Sequence, residues 1–136
     1  MLSKIFVYGS LNTPSNKFSK KLVKNSEQLG QGEIEGRLYN IGNYPGAVKS
    51  SSVHKIYGQI YKVINADILA ELDRYEDYNE SNPQKSLFIR KAVLVKGENG
   101  KVHRAWVYFY NRPVRLKKII KTGNYKKFRK AKGRKK

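Results

Sequence analysis

The stretch KVHRAWVYFY, residues 101–110, sets Ala105, Val107 and Phe109 on one side of an extended chain and Trp106, Tyr108 and Tyr110 on the other. A strand that is apolar on both faces has to be covered on both. In a chain of 136 residues, 39% of them apolar, that requirement points to one compact unit: a small closed or strongly curved sheet with helices outside it. The preceding run, SLFIRKAVLVK, reads as its hairpin partner, and the Asn99-Gly100 pair in GENG predicts a type I′ turn between them.

Other elements follow from local patterns. Residues 4–8 form a first strand, and SNKFSKKLVKN reads as a short helix with Phe18, Leu22 and Val23 on one side. EIEGRLYNIGNYPGAV mixes short strand-like pieces with a Pro-Gly turn, and HKIYGQIYKV is a strand with Ile56, Gly58 and Ile60 on one face. ADILAELDRYEDY is the clearest helix: Asn65 stands at its N-cap and Asp67 complements the dipole in the first turn. VRLKKIIKTG predicts a last short helix ended by Gly123. The expected fold class is α+β, a small mixed β-barrel with flanking helices.

The formal net charge is +19, which raises nucleic acid as a partner. Its placement weakens that idea, because Glu98 is the last acidic residue and eight basic residues crowd into Lys126–Lys136. Blocks of like charge with little apolar content remain disordered. Residues 1–124 are therefore expected to form the domain and 125–136 a basic, disordered tail. A rival reading uses that tail on nucleic acid, with Tyr125 and Phe128 stacking on bases. There are no cysteines, so disulfides, thiolate metal ligands and thiol nucleophiles are excluded. Lys4 interrupts any signal-like apolar run, and no segment approaches the length of a membrane span. The expected protein is soluble and cytoplasmic.

Two features carry candidate chemistry. Leu69, Leu72 and Glu76 are spaced by three and four residues, so Glu76 prolongs the apolar stripe of its helix. Burial and the negative end of the helix dipole both disfavour its ionised form and make it a proton acceptor near neutral pH. The alternative is a frayed helix end, with Glu76 in solvent or paired with Arg74 or Arg90. The second feature is IFVYGSL, where Gly9 and Ser10 follow a strand: such a turn can aim backbone N–H groups at a carboxylate or oxyanion, or it can simply be a barrel corner. Ser10 as a nucleophile lacks an evident base, since His54 and His103 lie in strand-like segments, and the two histidines give no metal-ligand pattern.

VYGSL, NYPGAV, YGQIYKV, LDRYEDY and AWVYFYNRPV, in this order, resemble the gamma-glutamylcyclotransferase-like family, especially its gamma-glutamylamine cyclotransferase branch. The resemblance runs to about Tyr125. It implies that Tyr8, Gly9, Ser10 and Leu11 bind a glutamyl moiety largely through backbone groups, that Glu76 is the catalytic base, and that no cofactor takes part. The implied reaction closes a γ-glutamyl compound to 5-oxoproline and releases an amine or amino acid. Tyr108 or Tyr110 could add a hydroxyl, and alternation alone cannot choose between them. One departure stands out: Phe88 occupies the place of the tyrosine two residues before Arg90.

Overall fold

A computed structural model describes residues 2–9, 17–50 and 54–133. Eight strands, β1 (Lys4–Val7), β2 (Ser26–Glu35), β3 (Arg37–Asn40), β4 (Pro45–Val48), β5 (Lys55–Val63), β6 (Phe88–Gly97), β7 (Val102–Tyr110) and β8 (Lys118–Ile119), combine with three helices, α1 (Lys17–Lys24), α2 (Asp67–Tyr75) and α3 (Tyr125–Gly133). Five of the strands close into a barrel in the order β1-β5-β2-β6-β7, and β4-β3-β8 form a second sheet. The expected mixed barrel with flanking helices is the observed architecture.

The double-sided strand explains why. Ala105, Val107 and Phe109 join Phe6, Ile34, Ile56, Ile60 and Val95 in one buried cluster. Tyr108 belongs to the other, with Leu22 of α1 and Ile68 and Leu72 of α2, and Trp106 and Tyr110 pack against it. Ile68 and Leu72 are almost wholly buried, each worth about 1.5–3 kcal/mol relative to exposure. β1 closes the barrel by pairing antiparallel with β5 and parallel with β7, where Ile5 lies opposite Trp106. That closure brings the end of β1 beside the middle of β7 and the helices.

Four local expectations are corrected. Val23 is half exposed, so α1 buries a narrower stripe centred on Leu22. The β6–β7 turn is not type I′: Gly100 N–H donates to the Gly97 carbonyl at 3.0 Å and only Gly100, at φ 81°, takes a positive φ there. A type I turn followed by a left-handed glycine provides the twist instead. The helix expected from VRLKKIIKTG is absent; Leu116 is exposed, while Ile119 and Lys118 pair with β3 as β8, because the free edge of β3 satisfies this backbone. Finally, the stretch expected to be disordered from residue 125 is helical to Gly133, since Tyr125 is buried at 6% exposure and anchors it. Among the described residues no helix is long and apolar enough to cross a membrane.

Candidate active site

α2 ends on the residue of interest, and its ending is well defined. Tyr78 N–H donates to the Asp73 carbonyl at 2.8 Å and Asp77 N–H to the Arg74 carbonyl at 3.2 Å, with Asp77 left-handed at φ 54°. These paired bonds are a Schellman closure around Glu76. The helix therefore does not fray before Glu76. At its start, the Asn65 side chain accepts the Asp67 N–H at 3.1 Å, the expected capping bond, one residue before the assigned boundary.

A pocket of about 230 Å³ opens beside this turn. Tyr8 and Gly9 from the end of β1, Tyr44 and Pro45 from the β3–β4 turn, Glu76, Phe88 and Tyr108 line it. Glu76 is partly buried, and loss of water pushes its carboxyl up to about 8. Neither of the cations considered as partners takes it: Arg90 Nε lies 3.2 Å from Asp73 Oδ1, an ion-pair contact whose N–H is not aligned for a hydrogen bond. Arg90 also stacks over Trp106 at 4.4 Å and Tyr78 at 5.8 Å. Asp73, one turn before Glu76, additionally accepts the Tyr108 hydroxyl at 2.6 Å.

The tyrosines of the site separate by what their hydroxyls do. The Tyr8 hydroxyl donates to the Tyr108 carbonyl at 2.6 Å and accepts the Ala47 N–H at 3.1 Å, tying β1, β4 and β7 together. Burial and the Glu76 charge both keep it protonated. Tyr108, also kept protonated by burial and by its bond to Asp73, lines the pocket with its hydroxyl already engaged. Tyr110 is not in the lining; it packs edge-on against Phe88 at 5.5 Å. Gly9 is in the lining, and a Cβ there would stand 2.8 Å from Pro45 Cγ, so close packing of the loop on the β3–β4 turn already requires glycine. Ser10 and Leu11 lie outside the described residues. Sequence reasoning missed Tyr44, Pro45 and Asp73 as site residues; NYPG was read as a turn and as part of the family resemblance with no role in the site, and the Asp73 partnership depends on a strand distant in sequence.

His103 is buried in β7, where Lys4 Nζ lies 3.0 Å from its Nδ1. It stands apart from the pocket lining. One carboxylate that no cation pairs with among the described residues, set in an aromatic pocket beside a strand-end backbone, suits proton transfer to and from a small polar substrate.

Residues 5–127 match the family model described as gamma-glutamyl cyclotransferase, AIG2-like. The chain belongs to this family. It is similar to the gamma-glutamylcyclotransferase family protein YtfP of Escherichia coli K12, with 32% identity over 123 residues that make up 90% of this chain and 95% of that one. The solution NMR structure of YtfP from Escherichia coli superimposes with a TM-score of 0.63 at 31% identity, over 90% of this chain and 95% of the other. The crystal structure of YkqA from Bacillus subtilis gives a TM-score of 0.75 at 24% identity, with 99% of this chain spanning 44% of that longer one, a likeness of fold. Gamma-glutamyl cyclotransferase family membership thus accords with the closed barrel and its flanking helices.

Proposed function

We propose that this protein cyclises a γ-glutamyl amine or amide to 5-oxoproline, with Glu76 as general base and then general acid. The observation that carries the proposal is a carboxylate facing an aromatic pocket without a cation among the described residues, its proton affinity raised by burial to near neutral pH. A carboxylate at ordinary acidity would be a weaker acceptor for a substrate ammonium.

In the reaction, the α-amino nitrogen attacks the γ-carbonyl carbon, the new C–N bond closes a five-membered ring, and the bond to the leaving nitrogen breaks. The attacking nitrogen loses two protons overall and the leaving nitrogen gains two, so charge is conserved. Glu76 takes one proton from the ammonium and returns it to the departing amine, while the attacking nitrogen releases its second proton to solvent and the freed amine takes its second from solvent. Both reacting groups belong to one molecule, so the pocket's main task is to hold the folded conformer in which they meet. The backbone at Gly9, continuing into Ser10 and Leu11, is the proposed cradle for the glutamyl moiety, and the ring of Tyr108 forms a wall rather than a proton donor.

The test is release of 5-oxoproline, followed by mass spectrometry, from a panel of γ-glutamyl amines and γ-glutamyl dipeptides. Turnover by wild type that is lost in Glu76→Gln, which keeps size but cannot accept the proton, supports the proposal. Equal turnover by both proteins would remove Glu76 from the mechanism.

The rival role in nucleic-acid binding loses its stacking surface. Tyr125 is buried, and Phe128 packs on the same cluster with the two rings 6.2 Å apart. These aromatic side chains hold α3 to the barrel, leaving Lys126, Lys127, Arg129 and Lys130 exposed.

A further inference from the structure

Four tyrosines line the pocket: Tyr8, Tyr44, Tyr75 and Tyr108. Tyr8 and Tyr108 spend their hydroxyl protons inside the protein, on the Tyr108 carbonyl and on Asp73. Tyr75 packs its ring against Phe18 at 4.4 Å. Tyr44 differs, because its ring leans on Phe88 at 5.9 Å and its hydroxyl makes no hydrogen bond to another described residue. Its backbone, in contrast, is held firmly. Ile41 N–H donates to the Tyr44 carbonyl at 3.0 Å, Pro45 follows and restricts Tyr44 to extended geometry, and β4 begins at once. Gly46 then sits so closely on Tyr110 that a Cβ would approach its Cβ to 2.8 Å. The turn thus presents to the pocket a phenol that is fixed at its base and unengaged at its tip.

Resting on the cyclotransferase reading, we infer that Tyr44 is a further catalytic residue, whose hydroxyl donates a hydrogen bond to the γ-carbonyl oxygen of the substrate as that oxygen gains negative charge. A fixed donor aimed at a developing oxyanion acts in the transition state and needs no reorganisation at the moment of reaction. Burial, the neighbouring Tyr110 phenol and the Glu76 charge all hold the Tyr44 proton in place, so this group is a donor and not a second base. The aromatic position 88 fits the same account. Phe88 supplies a ring for Tyr44 and Tyr110 to lean on and brings no competing hydroxyl of its own.

The experiment compares wild type, Tyr44→Phe and, as a surface control, Tyr57→Phe for 5-oxoproline release from whichever panel substrate wild type turns over. Tyr44→Phe keeps the ring and its packing, and equal melting temperatures will verify the fold. The expected result is a fall in kcat of about 10²-fold or more with KM little changed, as for loss of one oxyanion donor. The acid limb of kcat/KM against pH should stay at its wild-type position, and Tyr57→Phe should be as active as wild type. Unchanged kcat in Tyr44→Phe would overturn the inference. So would a displaced acid limb, because it would mean that the hydroxyl acts on the Glu76 carboxylate instead of on substrate. Absence of turnover by wild type on the whole panel would overturn the cyclotransferase reading itself, and the role of Tyr44 with it.

Discussion

Asp73 and Glu76 lie one turn apart on the same helix, and burial raises the proton affinity of both, yet only Asp73 has partners that counter the rise. At Asp73 a hydrogen bond from Tyr108 and the charge of Arg90 work against it. At Glu76 nothing opposes it, and the carboxyl reaches about 8. The nearby guanidinium therefore faces one carboxylate and, among the described residues, leaves the other without a cation. Asp73 anchors the helix to β6 and β7, and Glu76 faces the pocket.

The largest effect should come from removing the exchangeable proton. Glu76→Gln is expected to lower kcat by about 10²–10⁴-fold, the range for a positioned general base, with the fold intact by circular dichroism. Asp73→Ala should act first on stability. It leaves Arg90, whose side chain is only 13% exposed, without its partner, and breaking a pair of this kind costs about 3–5 kcal/mol in urea unfolding. Should Asp73→Ala prove as stable as wild type and as inactive as Glu76→Gln, the division of labour between the two acids would be reversed.

Linkage gives a subtler contrast. A carboxyl whose folded value lies above its unfolded value of about 4.5 makes the folded state retain a proton that the unfolded state releases, so stability falls as pH rises from about 4.5 to about 8. Glu76→Gln should remove this slope. The variant should melt above wild type at pH 9, with the difference shrinking toward acid pH; scans that stay parallel across this range would argue against a buried acid. The smallest effect concerns the turn that closes α2. Asp77 pays for a left-handed conformation, and Asp77→Gly should stabilise the protein by about 1 kcal/mol by relieving it.

The legible parts of this molecule are those written in local spacing. The two-sided run at 105–110 implied a closed sheet covered by helices, and the three-four spacing through Leu69, Leu72 and Glu76 placed the carboxylate inward. What was hidden depends on pairing between distant segments. β2 contains SEQLGQGEIE, too polar to advertise a ten-residue strand, and becomes one because β5 runs along nearly its whole length. Alternation put Tyr108 and Tyr110 on one face and could not tell them apart. The packing of Phe88 against Tyr110 separates them, leaving only Tyr108 in the pocket. In the same way, Tyr125 looked like part of a charged tail because its burial is provided by the barrel and not by its neighbours in sequence.

The most direct test of the contrast between the two acids is a ¹³C NMR titration of the Glu76 side-chain carboxyl in the free protein, assigned by its loss in Glu76→Gln. The account predicts a midpoint near 8, with the acid limb of kcat/KM at the same pH. A midpoint near 4.5, the ordinary glutamate value, would show that Glu76 is ionised like any surface carboxylate and would contradict its role as the pocket's proton carrier.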